Sequence, residues 1–346
     1  MHSKRIHASA PRFILRSLAV FLLASLACAR TDKPAQEAPS GGRPWTRIEP
    51  AGRWSFVGDV AEDQDLSGLA CISQRFGLIG ADESRDVQVV EFSRRARTLR
   101  IVQTISLAYS GDEIDTEAIA AEKDCYYIIG SHGISKKEGL PQGNRYCIYR
   151  LRADPATGAP TKPISLDRAS LVDVLREDAV LGPYFGKPLQ QRGVNIEGLA
   201  VREGRLFVGV RGPNLGGDAF VLEVLADDVF SGNSRPSYVL HRLRLGAGYG
   251  IREIVTARSD FLIIAGNSAS EPSEKYTQSM DYDENREFLL FSWDGRDSVV
   301  RKIGAIPDVR GKAEAMTILE EAEDHVTVLM LFDGPRQGRP TAYWIY

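Results

Sequence analysis

Charged side chains recur at matched positions along this chain, most clearly in NIEGLAVREGRLFVGVRGPN, residues 195–214. Glu197 stands near the start of that stretch and Arg211 near its end. A carboxylate can move a proton or offer oxygen to a hard cation, whereas a guanidinium grips an acid or phosphate through paired N–H donors. The value of the pair depends on what brings its members together. Asn195, Glu197 and Gly198 form an acidic turn, Leu199–Val201 an apolar strand, and Leu206–Val210 a second strand after a turn at Glu203 and Gly204. Two apolar runs joined by a Gly-containing turn read as a hairpin.

The same unit appears in DLSGLACISQRFGLIGAD (65–82), DTEAIAAEKDCYYIIGSH (115–132), GIREIVTARSDFLIIAGN (250–267) and KAEAMTILEEAEDHVTVLMLFD (312–333). Fifteen steps separate Ser67 from Asp82, Glu117 from His132 and Arg252 from Asn267; 14 separate Glu197 from Arg211. Glu314 and Asp333 are 19 apart because the turn EEAED is longer. A third apolar strand follows each copy, and a more polar fourth follows most. Four antiparallel strands at a period near 50 to 60 residues is the pattern of a β-propeller blade. The expected fold is therefore all-β, a propeller of five blades, or six if the gap after the second copy hides one. One short inserted helix is expected in RASLVDVLRED, residues 168–178, with Ser170 as N-cap. WSFVG at 54–58 is expected to pair with the last strand and close the ring.

Such a ring carries the inner-strand starts and second-strand ends to one channel mouth. Glu117, Glu197, Arg252 and Glu314 would gather there, with Asp82, His132, Arg211, Asn267 and Asp333. The loops RGPN (211–214) and DGPR (333–336) would lie on the same face, where binding is commonly built. Three carboxylates near one axis repel unless a cation or an arginine compensates. Glu117, Glu197 and Glu314 are thus candidate ligands of a divalent cation such as calcium. Arg252, Asp82, Asn267, Asn214 and Asp333 are candidate ligand-binding residues. Glu197, Arg211 and His132 are candidate catalytic residues, His132 as a general base beside Glu117. A structural alternative is that the acids cap local backbone N–H groups; Ser67 and Arg252, which replace the acid in two copies, argue for inequivalent roles. Asp281, Asp283 and Asn285 begin like a calcium loop, but Arg286 and Ser292 occupy positions that need Gly and Glu, so an acidic surface loop is expected.

The chain has 346 residues and a formal net charge of -3, which argues against a nucleic-acid surface. Lys4, Arg5 and Arg12 followed by the apolar run Ser17–Ala27 read as a signal peptide over 1–28. Either Cys28 is the lipidated first residue of a lipoprotein, or cleavage after Ala27 or Ala29 releases a soluble protein. Residues 29–44 read as a flexible tether and 45–346 as a single propeller domain. The expected location is the periplasm or the outer membrane, with a lipid anchor as the only membrane attachment and the protein monomeric. Cys71, Cys125 and Cys147 read as small buried apolar residues.

The residues DTEAIA, YYIIGSH, NIEGLAV, VGVRGPN, AFVLEV and GIREI, in that order, resemble a bacterial family known as domain of unknown function 3616, from about residue 54 onward. More distantly, the repeated xxEGxA strand is similar to the esterase-like phytase propellers. That second resemblance implies a propeller and phosphoester chemistry. Ser67 and Arg252 break its ring of carboxylates. Two functions follow as expectations: an exported, metal-assisted phosphoester or ester hydrolase, or a non-catalytic propeller that binds a small ligand, glycan or protein.

Overall fold

The structure, a computed structural model, describes residues 45–108, 113–135, 139–232 and 235–346. The expected signal peptide, Cys28 and tether lie outside the described residues. A lead strand, β1 (Ile48–Arg53), and a short strand, β2 (Ser55–Val57), precede the blades. The first blade is β3 (Leu66–Cys71), β4 (Phe76–Ala81), β5 (Asp86–Ser93) and β6 (Thr98–Ser106). The second is β7 (Thr116–Glu122), β8 (Cys125–Gly130), β9 (Ile148–Arg152) and β10 (Leu166–Ala169), followed by the helix α1 (Val172–Glu177). The third is β11 (Asn195–Arg202), β12 (Arg205–Leu215), β13 (Asp218–Leu225) and, after the helix α2 (Ala226–Phe230), β14 (Tyr238–Arg244). The fourth is β15 (Tyr249–Ala257), β16 (Asp260–Asn267), β17 (Leu289–Trp293) and β18 (Val300–Ala305). The fifth is β19 (Lys312–Glu321), β20 (Val326–Asp333) and β21 (Thr341–Ile345), completed by β1.

The blade number is five. Each pair of neighbouring blades shares one apolar cluster: first with second, second with third, third with fourth, fourth with fifth, and fifth with first. The last of these joins Leu66 and Ile79 to Leu329 and Leu331, so the ring is closed. The gap after the second blade holds α1, as expected, although Arg168 and Ala169 end β10 and the Ser170 hydroxyl accepts only from the Val172 N–H.

The closing strand is displaced from its expected position. Ile48–Arg53 pairs antiparallel with β21, Ile48 opposite Ile345, while Ser55–Val57 lies parallel to β6 as a fifth strand of the first blade. Pro50 and Gly52 make the true closing segment look like a turn. An outer strand tolerates proline because its other edge needs no ladder bond, and a register shift between Pro50 and Gly52 absorbs the irregularity.

The inner hairpins have tight turns. Between Arg202 and Arg205 lie Glu203 and Gly204, both at positive φ (55° and 72°), as a two-residue turn with the twist of its strands requires. The Glu122 carboxylate of the second blade accepts both of that turn's N–H groups, at 2.6 and 3.0 Å. Glu321 of the fifth blade does the same for the Arg258 N–H at the fourth-blade turn.

Candidate functional site

Every inner strand breaks register near its start. The pairing skips one residue between Leu66 and Gly68, Thr116 and Ala118, Ile196 and Gly198, Ile251 and Glu253, and Ala313 and Ala315. The skipped residues are Ser67, Glu117, Glu197, Arg252 and Glu314, the five that the repeat aligns. A bulge re-aims the extra side chain away from the strand's alternation. All five side chains are buried.

Arg211 and Glu197 do meet at the mouth, Nη1 to Oε1 at 2.6 Å. The other Glu197 oxygen lies 2.8 Å from Arg252 Nη1, and the second terminal nitrogen of Arg252 contacts Glu314. Arg211 also donates to the carbonyls of Asn267 (3.0 Å) and Ala269 (2.9 Å). The chain Arg211–Glu197–Arg252–Glu314 thus ties three blades together. Burial, and secondarily the charge of Arg211, push the Arg252 guanidinium down to about 10, which leaves it protonated at neutral pH.

Other expected site residues have structural ties. His132 Nδ1 bonds the Gly130 carbonyl at 2.9 Å, and Nε2 accepts the Leu171 N–H at 3.2 Å, so it holds α1 to the second blade. Burial pushes it down to about 4. With both nitrogens used by backbone, it has no lone pair for a substrate proton, contrary to the general-base expectation. Asn214 bridges the Gly246 and Tyr249 carbonyls and the Gly217 N–H. Asn267 braces the 281–286 loop through Asp283 and Arg286. Asp333 pairs with Lys312. Asp82 is half-buried beside Asp65, whose carbonyl accepts its N–H. Burial and the charges of Asp333, Glu83 and Glu62 raise the Asp65 carboxyl. Asp281 is taken by Arg192 in a two-toothed pair, so the DxDxN run is a surface loop and not a calcium loop.

Glu117, Glu197 and Glu314 gather around the Arg252 guanidinium, Glu197 and Glu314 by direct pairing and Glu117 by its charge, so an arginine stands where the cation was expected. Among the described residues no three His, Cys, Asp or Glu side chains form a metal-ligand group. Cys71, Cys125 and Cys147 are free thiols.

Three features escape the sequence reading. Arg145, from the loop after β8, grips Glu113 (2.6 Å) and Asp115 (2.8 Å) beside the mouth. Glu253, fully buried, follows the bulge of β15 and accepts the N–H groups of Ile254 (2.8 Å) and Leu199 (3.3 Å), from two inner strands. Burial raises its carboxyl well above the usual range, although those bonds oppose the shift. A signal for it existed: the other four copies carry Gly68, Ala118, Gly198 and Ala315 at that position.

The third is a cleft of about 300 Å³ beside the mouth, between the β16–β17 loop and the charged network. Gln190, Arg211, Arg252, Ser270, Tyr282 and Lys312 are among its walls. Gln190 Oε1, Ser270 Oγ and Arg252 Nε are buried and unpartnered.

The fold and these geometries define a five-bladed β-propeller with a buried charged network at its channel mouth. A family model described as "Protein of unknown function (DUF3616)" matches residues 149–343, more than half of the chain, and the chain belongs to that family. No curated protein is detectably similar to it. Among solved structures, an exo-β-1,3-galactanase from Phanerochaete chrysosporium with β-1,3-galactotriose matches at a TM-score of 0.46 and 10% identity, over 86% of this chain and 64% of that one. A GH43 β-1,3-galactosidase matches at 0.47 and 9%, over 87% and 60%. The chain therefore spans less than two thirds of either. Both are glycoside hydrolases, and at such identities they carry no argument about function.

Proposed function

We propose that the protein is a binding propeller that takes a small polar ligand in the cleft beside its channel mouth, and that it is not a hydrolase. One contrast carries this reading. The groups that would perform hydrolysis are engaged, Glu197 and Glu314 by arginines and His132 by backbone, whereas the adjacent cleft is lined by polar side chains that reach solvent, Tyr282 and Lys312 among them. Export, with Cys28 lipidated or the chain cut after Ala27 or Ala29, remains part of the proposal and is checked by mass spectrometry of the mature N-terminus.

A thermal-shift screen with sugars, acids, phosphates and amines tests the reading, since a ligand that binds only the folded state raises the melting temperature. The expected hit stabilises the protein without being consumed, and loses its effect in Ser273→Trp, which fills the cleft from the exposed loop side. Product accumulation, or an effect untouched by Ser273→Trp, defeats it. The hydrolase reading keeps one support, the Asp65 carboxyl, which burial and the charges of Asp333, Glu83 and Glu62 raise and so dispose toward holding a proton. Turnover of phosphoesters that requires calcium would favour that reading instead.

A further inference from the structure

The end of the ring away from the channel mouth carries a concentration of positive charge that the cleft does not use. Arg75 precedes β4, Arg94, Arg95 and Arg97 occupy the turn between β5 and β6, and Arg100 stands just inside β6. Arg53 joins them, because the Ser55 N–H bonds the Arg97 carbonyl at 3.1 Å and the Arg97 guanidinium lies over Gly52. All six are exposed. Glu91 is shared between Arg75, at 2.5 Å, and Arg100, while Arg94 donates to the Leu319 carbonyl beside Glu320. Arg53, Arg95 and Arg97 have no acidic partner among the described residues. Six arginines against two acids make a strongly positive patch in a chain whose net charge is -3.

Like charges gathered in this way repel, so the patch is accounted for by negative charge from outside the chain. The paired N–H donors of a guanidinium suit phosphate oxygens. Two further observations point to a membrane as the source of those phosphates. Val57, the register partner of Arg100, and Val102, two residues along β6, are both exposed, and apolar side chains beside arginines match a surface where headgroups border hydrocarbon. The chain also enters the described structure at this end of the ring: the Thr46 N–H bonds the Tyr346 carbonyl, and Ile48 lies opposite Ile345, at the end of β21 away from the mouth. Cys28, the expected lipid site, stands 17 residues before Trp45. A soluble polyanion would gain from neither the valines nor the point of entry.

We propose that this arginine patch docks the protein on an anionic phospholipid membrane. The lipid phosphates accept from the guanidinium groups, and Val57 and Val102 meet the boundary between headgroups and acyl chains. Docking through this end turns the channel mouth and its cleft away from the bilayer, toward soluble ligands. A polybasic surface of this kind supplies the second contact that makes attachment through a single lipid chain lasting. The assignment is independent of what the cleft binds.

Vesicle co-sedimentation of the full chain tests it, with Cys28→Ser in every sample so that no acyl chain contributes. Vesicles of phosphatidylcholine mixed with phosphatidylglycerol are expected to bind the protein more tightly than vesicles of phosphatidylcholine alone, and added salt is expected to remove the difference. Arg95→Gln combined with Arg97→Gln is expected to weaken binding to the anionic vesicles about twentyfold, since each arginine at an anionic surface contributes roughly fivefold. Arg310→Gln combined with Arg336→Gln, at exposed positions in mouth-side loops, is expected to change it by less than about twofold, because charges beyond a Debye length are screened. Arg53→Gln combined with Arg75→Gln repeats the patch arm should the first variant fail to fold. Equal binding to the two kinds of vesicle, retention of binding in the patch variants, or an equal loss in the mouth-side variant overturns the assignment. Tighter binding of duplex DNA than of anionic vesicles overturns it as well.

Discussion

Arg252 and Glu253 are neighbours in sequence and both are buried, yet their situations are opposite. Arg252 is charged and paired on two sides, whereas Glu253 is held by backbone N–H groups, with Glu197 nearby and one oxygen unpartnered. Burial therefore favours the protonated form of Glu253. The unfolded chain releases that proton near 4.5, while the folded chain keeps it to a higher pH. Between those two points the unfolded state binds fewer protons, so stability falls as pH rises. Glu253→Gln, which imitates the neutral acid, should remove this slope. Its urea midpoint relative to wild type is expected to rise from pH 5 to pH 8, by about 1.4 kcal/mol of stability for each unit by which the folded pKa is raised; a constant difference would refute the assignment. The five bulge residues were readable because each occupies the same place in the repeat. Arg145, Gln190 and Ser270 were not, since they come from inter-strand segments that differ between blades. Their convergence is a product of the closed ring and leaves no periodic trace.

At the scale of elements, the bulge fixes what can stand opposite it. Gly198 pairs with Gly209 just past the bulge of β11, and Ile251 of the next blade packs over both. A Cβ on Gly209 would lie 2.5 Å from Ile251 Cγ2. Ile251 is fully buried and has nowhere to move. Gly209→Ala is expected to cost roughly 1–3 kcal/mol by overpacking, measured by chemical unfolding, whereas Gly204→Asn in the turn should cost far less because asparagine tolerates positive φ. The hairpins themselves were legible from their apolar runs and turn residues. The strand β1 was not, because Pro50 and Gly52 are turn signals unless a partner strand from the other end of the sequence is already known. The apolar stretch next to it, residues 54–58, drew the assignment one element too far.

The whole molecule is held by five inter-blade apolar clusters, and only the fifth blade draws strands from both ends of the described chain. Removal of residues 45–53 would strip β1 from β21, take Trp45 from the fourth–fifth cluster, and expose a hydrogen-bonding edge. The shortened protein is expected to melt at least several degrees lower and to self-associate in light scattering. An unchanged melting temperature would mean that the ring does not depend on this closure. The closed architecture followed from the repeat, because a blade's apolar faces have no other place to go than against their neighbours, while the choice between five and six blades needed the structure, which puts a helix and no blade in the gap after the second copy.

Ring closure by β1 also sets an order in time. During synthesis β1 emerges long before β21, and at ~5–20 residues per second the delay is on the order of 15–60 s. For that interval the strand must remain solvated beside a growing series of finished blades, each with an edge it could join in error. Its sequence, IEPAGR, suits the wait: it has a proline, two charged residues and few apolar ones, and it forms a stable strand only when the last segment arrives to order it.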